Sequence, residues 1–144
     1  MSTERKVDIF AALVLVLSLI GLILLAALDF AAFYLPSYGT RFSCLSCEYS
    51  TDVDLAAQVI ILVLLIIQII IALNDLLPNK FIKKPLEKYG MLLAVATVLF
   101  AIIGITSFGV EYGEYEWWAA EGFWGSTIAG LLNTILFFLK YKNK

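Results

Sequence analysis

Ile9–Leu28 reads IFAALVLVLSLIGLILLAAL, twenty residues without a single charge. At 1.5 Å per residue it makes roughly 30 Å of helix, the thickness of one hydrocarbon core. Three further stretches have the same character: Leu55–Leu73, Met91–Phe108 and Gly122–Leu139, of 18 to 19 residues each. Arg5 and Lys6 precede the first run, which resembles a secretory leader. The run is longer than the ~7–15 apolar residues of such a leader. Ala31-Ala32, the nearest small-residue cleavage candidate, lies beyond Asp29. A retained first span is therefore expected.

Nine of the ten Lys/Arg residues fall on one side of these four segments. Arg5 and Lys6 come before the first. Lys80, Lys83, Lys84 and Lys88 fill the link between the second and third, and Lys140, Lys142 and Lys144 follow the fourth. Arg41 alone lies on the other side. Short basic loops stay cytoplasmic, so both termini and the middle link are expected inside. The inner segments carry a net +5 and the outer ones −7. Links this short favour antiparallel neighbours. The expected fold is an all-α membrane protein, an up-down-up-down bundle with spans near 9–33, 53–75, 90–109 and 121–140. It forms a single four-helix domain in the cytoplasmic membrane.

Composition narrows the functions open to such a chain. Apolar residues make up 62% and charged residues 15%, well away from a soluble domain. No basic field suits nucleic acid, and the basic charge present faces lipid phosphates. In the middle link, Lys80, Lys83, Lys84 and Lys88 are expected at those phosphates while Phe81, Ile82 and Leu86 dip inward. Histidine is absent, which removes the commonest general base and the commonest zinc and haem ligand. No metal site and no cofactor are expected, quinone entering only under the redox alternative below.

Polar residues inside the spans are few, because unsatisfied groups in lipid are costly. Gln68 and Asn133 stand out, since Ser and Thr bond back to their own helix more easily. Both are placed in the inner halves of antiparallel helices, where they meet or share a water as interhelical glue. A polar conduction path is the alternative. Asp29 is the sole acid near a span end. If the first helix continues to Phe33 or Tyr34, it sits one turn inside the outer interface, where it is expected to face loop water or to pair with Arg41, ion binding being the alternative.

The fourth span carries a packing pattern. Gly122, Ser126, Gly130 and Thr134 recur every four residues, with Gly125, Ala129 and Asn133 on a ridge beside them. Small residues at this spacing allow close helix approach. Packing within the bundle is the first use, and contact with a homo-oligomer or a larger membrane complex the second. Ser50, Thr51 and Asp52 are expected to cap the second helix, with Asp52 and Asp54 at its positive dipole end. Tyrosines and tryptophans crowd the outer rim as an interfacial belt.

Both cysteines lie in loop one, as Cys44-Leu45-Ser46-Cys47, on the side where disulfides persist. A bond across so short a loop stabilises by only about 2 kcal/mol. A structural disulfide, a redox-active pair and free or metal-bound thiols all remain open.

Four spans, cytoplasmic termini and C-x-x-C in the first outer loop resemble the DsbB-type enzymes that pass electrons from dithiols to membrane quinone. That resemblance implies redox roles for Cys44 and Cys47. The Leu-rich first span with one Gly, the loop-one cysteine pair and the Gly122-Phe123-Trp124-Gly125-Ser126 opening of the fourth span resemble the claudin-like tetraspans. That second resemblance implies a small tetraspan working by lateral packing with itself or with larger partners. At about 20 residues, loop one is too short for the extracellular sheet of that family, so its barrier-forming function is not carried over. The leading expectation is a non-enzymatic assembly, adhesion or accessory subunit. A thiol–disulfide oxidoreductase and a small oligomeric channel or transporter are the alternatives.

Overall fold

The computed structural model describes residues 9–37, 39–44, 52–77 and 86–142. Among these residues four helices are long and apolar enough to cross a membrane: α1 (Ile9–Ala27), α2 (Asp52–Leu76), α3 (Glu87–Glu111) and α4 (Glu121–Lys142). Between them lie three strands, β1 (Ala31–Leu35), β2 (Gly39–Ser43) and β3 (Glu116–Ala119), forming an antiparallel sheet in the order β2-β1-β3. Helix ends extend one to three residues beyond the expected spans at α2, α3 and α4, where polar end residues continue the backbone ladder.

Two expectations are corrected here. The fold is not all-α, and the first span does not reach Phe33. The α1 helix stops at Ala27, and the chain turns extended two residues after Asp29. The backbone of Asp29 and Phe30 is the reason. Phe30 N–H donates to Ser43 O at 2.7 Å, Ala120 N–H donates to Phe30 O at 3.0 Å, and Gly122 N–H donates to Asp29 O at 2.8 Å. Continued helix would satisfy α1 alone, whereas this geometry ties α1 to both outer links and leaves these polar groups paired. The β1–β2 hairpin turns through Pro36 and Ser37, and Gly39 takes a positive φ of 80°, open to glycine without steric cost. Ala31 faces Ser43 and Ala119 across the sheet, and Phe33 faces Arg41 and Trp117.

Each helix touches its neighbours in chain order, and α4 closes on α1. Gly21 of α1 lies against Ala129 and Gly125 of α4, while the α1 end at Asp29 meets Gly122. The two segments therefore meet in opposite order. The same reversal holds for α2 with α3 (Ala57 by Gly104, Gln68 by Thr97) and for α3 with α4 (Gly90 by Phe137, Ala94 by Gly130).

The small residues of α4 are consumed by these contacts. A Cβ on Gly21 would sit 2.9 Å from that of Ala129, so α1 and α4 pack with almost no side chain between them. Gly130 turns instead toward Val98 and Ala94 of α3, and Gly122 toward the Asp29 backbone. Gly122, Ser126, Ala129, Gly130 and Asn133 are buried and Gly125 half-buried. The sequence ridge splits between two partners within the chain.

Two apolar clusters form the core. One, beneath the sheet, gathers Leu25, Phe30, Phe33, Ile61, Leu65, Ala101, Phe108 and Phe123. The other, toward the opposite end, gathers Val14, Ile71, Ala72, Ala94 and Phe137.

Candidate functional site

Between the two apolar clusters, each helix contributes one wholly buried polar side chain: Ser18 from α1, Gln68 from α2, Thr97 from α3 and Asn133 from α4. On every helix the residue falls one turn from a member of the lower cluster: Val14, Ile71, Ala94 and Phe137. The four are wired together. Asn133 Nδ2 donates to Ser18 Oγ and to Gln68 Oε1, both at 2.8 Å. Gln68 Nε2 donates to Thr97 Oγ1 at 2.9 Å and to Leu64 O at 3.2 Å, and Thr97 Oγ1 donates to Leu93 O at 2.9 Å. Asn133 Oδ1 accepts no hydrogen bond among the described residues.

Gln68 and Asn133 thus meet directly, across the diagonal of the bundle. Their helices are not the antiparallel pair expected from sequence. Gln68 meets Asn133 and Asp75 meets Lys140, so the contacts run in the same order along α2 and α4. The layer holds amides and hydroxyls only, groups that neither titrate nor carry charge near neutral pH. Its physical effect is register: slipping any helix by one turn would pull a polar group out of the layer and into an apolar cluster. Interhelical polar contacts in membranes are worth about 0.6 kcal/mol each, up to about 1.7.

A second polar cluster pins the hairpin to α2. Ser43 Oγ donates to Asp54 Oδ2 at 2.8 Å, and Gln58 Nε2 donates to Ser43 Oγ at 3.2 Å. All three side chains are fully buried. Asp54 and Gln58 are one turn apart and so share a helix face. Sequence reasoning took Asp54 for a dipole partner of α2. The signal available was that i, i+4 pair, but its partner Ser43 becomes visible only once β2 folds over α2. The Ser50–Thr51 part of the expected cap lies outside the described residues.

At the opposite end Lys140 forms an ion pair with Asp75, with side-chain exposures of 12% and 5%. This pair was also missed, although both residues stand at the same end of their spans in the sequence.

Asp29 lies in the α1–β1 link and is half-buried. Burial, and then the like charge of Glu121, push its carboxyl above the ordinary value of 3.8. The charged neighbour acting on it is therefore an acid, not the Arg41 considered from sequence. Arg41 Nη1 donates to Thr40 O at 3.3 Å.

Aromatic rings fill the space between sheet and helix ends. Phe33 stacks on Tyr112 with centroids 4.0 Å apart, and Phe108 contacts both rings and the edge of Trp117. Trp117 covers Gly109, where any side chain would collide with the indole. Part of the expected belt is thus internal packing. Tyr38 and Tyr49 lie outside the described residues.

Cys44 is half-buried directly after β2, and Cys47 lies outside the described residues, as do Lys80, Lys83 and Lys84. Lys88 is exposed on the first turn of α3. Among the described residues no three His, Cys, Asp or Glu side chains converge as a metal-binding group. Compared with protein families, with curated proteins and with solved structures, the chain matches none.

Proposed function

We propose that this chain is a non-enzymatic multi-pass membrane protein, an assembly, adhesion or accessory subunit inserted up-down-up-down with both termini cytoplasmic. The sheet then stands on the outer side. The Lys/Arg asymmetry supports the orientation, since lysines cluster at the end away from the sheet and Glu111, Glu114, Glu116 and Glu121 at the sheet end. In this reading Cys44 and Cys47 form a disulfide that staples the chain leaving β2.

The observation that carries the proposal is the face of the sheet turned away from the core. Ala32 of the central strand pairs with Phe42 on one side and Trp118 on the other, and Tyr34 follows two residues along. Ala32 is buried, while Phe42 and Trp118 are each 42% exposed and Tyr34 44% exposed. Three large rings on a rigid three-stranded support resemble the aromatic-rich centres of protein interfaces. The small residues of α4 are already engaged within the bundle, so contact with a further chain is assigned to this face.

The mass of the intact assembly after mild detergent extraction tests the assignment. The wild-type chain is expected in a complex of defined stoichiometry, with itself or a larger partner. Trp118→Ser with Phe42→Ser should weaken that complex by roughly 2 kcal/mol or more while the helices remain folded. A wild-type chain extracted as a single copy would overturn the proposal. Orientation is tested separately by impermeant thiol labelling, with Cys44 and Cys47 changed to Ser. Gly113→Cys should react from outside and Asn79→Cys only from inside, and the reverse pattern would refute the topology.

A further inference from the structure

The outward face of the sheet ends in a groove. Tyr34 lies directly across from Glu116 in the β1–β3 register, so the two side chains are neighbours on one face. With Pro36, Glu114 and Tyr115 they line a groove of about 310 Å³, at the small end of the range for binding clefts. One wall is held in place: Tyr115 N–H donates to Tyr112 O at 3.0 Å, and the Tyr115 ring lies against Phe33 with centroids 5.9 Å apart. The Tyr34 ring and both glutamates are exposed. Among the described residues neither Glu114 nor Glu116 has an ion-pair partner. Arg41 is the one Lys/Arg in the sheet-side segments 29–54 and 109–121. It lies across from Phe33, and successive strand residues point to opposite faces, so Arg41 stands on the other face of the sheet from Tyr34 and Glu116.

We propose that this groove takes an arginine side chain from a different protein, one that lays a basic segment on the outward face of the sheet. The inference rests on the reading of that face as a contact surface and names the chemistry of the partner. Charge complementarity selects its class. The sheet-side segments carry a net −7, so a second copy presenting the same face brings like charge, whereas a basic segment brings the complement. The rings select arginine within that class. A planar guanidinium stacks on the exposed Tyr34 ring while donating to the Glu116 carboxylate beside it and to Glu114 across the groove. Lysine brings a point charge without the plane. Phe42 and Trp118, further along the same face, supply the apolar contact, and the arginine sets the register of the segment they hold.

Three capped tripeptides, glycine–X–glycine with X as arginine, lysine or citrulline, test this on the full chain in non-ionic detergent, with amide resonances following the binding. Citrulline keeps the shape of arginine without its charge. A charge-assisted hydrogen bond corresponds to about tenfold in binding, so the arginine peptide should bind about tenfold tighter than the citrulline peptide. Stacking on an exposed ring should add roughly threefold over lysine. Glu116→Gln should remove most of the advantage over citrulline. Glu111→Gln, the same charge change on the same side but outside the groove, should leave it unchanged. Tyr34→Leu should abolish the preference for arginine over lysine, and Tyr34→Phe should keep it. Helicity is followed in every sample, and the wild-type ranking decides even where a variant does not fold. In the complex extracted from its native membrane, Glu116→Arg should release the partner and Glu111→Arg should not.

Equal binding of the arginine and citrulline peptides, equal losses in Glu111→Gln and Glu116→Gln, or a native complex built only from copies of this chain would each overturn the inference. Failure of the contact-surface reading shows separately. A chain extracted as a single copy removes that reading and this inference with it, whereas a complex of defined stoichiometry that is indifferent to Glu116→Arg refutes this inference alone.

Discussion

Lys140→Met is expected to cost about 3–5 kcal/mol, the range for removing one partner of a buried ion pair. Asp75, on α2, is 5% exposed at its side chain and Lys140, on α4, 12%. Removing the lysine takes from the buried carboxylate the Coulomb attraction of that cation, which offsets part of its desolvation. The pair bridges the diagonal of the bundle, as Gln68 and Asn133 do one layer further in. The loss should therefore loosen two helices that otherwise touch little. The double change Asp75→Leu with Lys140→Met removes the charge along with its partner and should recover most of the stability, since well-packed apolar replacements of buried ion pairs are often neutral. Reversible unfolding in mixed micelles, run as a double-mutant cycle, measures this directly. A single-variant loss under about 1 kcal/mol, the range of a surface pair, would show that the lysine reaches water in solution. A double variant as damaged as Lys140→Met would show that the side-chain stem, not the charge, sustains the contact.

Bilayer physics explains which parts of this architecture were legible in the sequence. A span must be about 20 residues long and satisfy its own backbone, so Leu55–Leu73 and Met91–Phe108 declare themselves by composition alone. Gln68 and Asn133 were legible for the same reason, being amides deep in otherwise apolar runs. The sheet was not. Ala31, Ala32 and Phe33 continue the hydropathy of α1 and read as helix, and β1 exists because its backbone pairs with Trp117 and Trp118, more than eighty residues away. Periodicity within five residues carries no record of such a partner. Ser43 is a similar case: a serine in a loop is unremarkable until the hairpin lowers its hydroxyl onto Asp54. The ridge of α4 was half legible. The spacing of Gly122, Gly125, Ala129 and Gly130 announced close approach, but one stripe could not reveal that α1 takes Gly125 and Ala129 while α3 takes Gly130.

That division sets the second expected result. Gly130→Leu should destabilise the bundle by roughly 1–3 kcal/mol, as overpacking does. A Cβ at this position would lie 2.8 Å from Val98 Cγ2, 3.1 Å from Ala94 O and 3.3 Å from Thr97 Cβ. Val98 can rotate its methyl aside, but Ala94 O belongs to the α3 backbone and moves only with the helix. Thr97 in turn accepts the Gln68 hydrogen bond at 2.9 Å, so displacing it strains the polar layer as well as the α3–α4 contact. Gly130→Ala should show the same sign with a smaller loss, because the single methyl meets the same neighbours without the extra branch. Leu132, two residues on, is 39% exposed on the lipid side. Between helices and lipid there is no hydrophobic drive to lose, so Leu132→Ala should change stability far less. Thermal unfolding of the three variants in one detergent gives the ranking. Equal losses for Gly130→Leu and Leu132→Ala would mean that α4 presents a different face to α3, and the division of its small residues between two neighbours would fall with it.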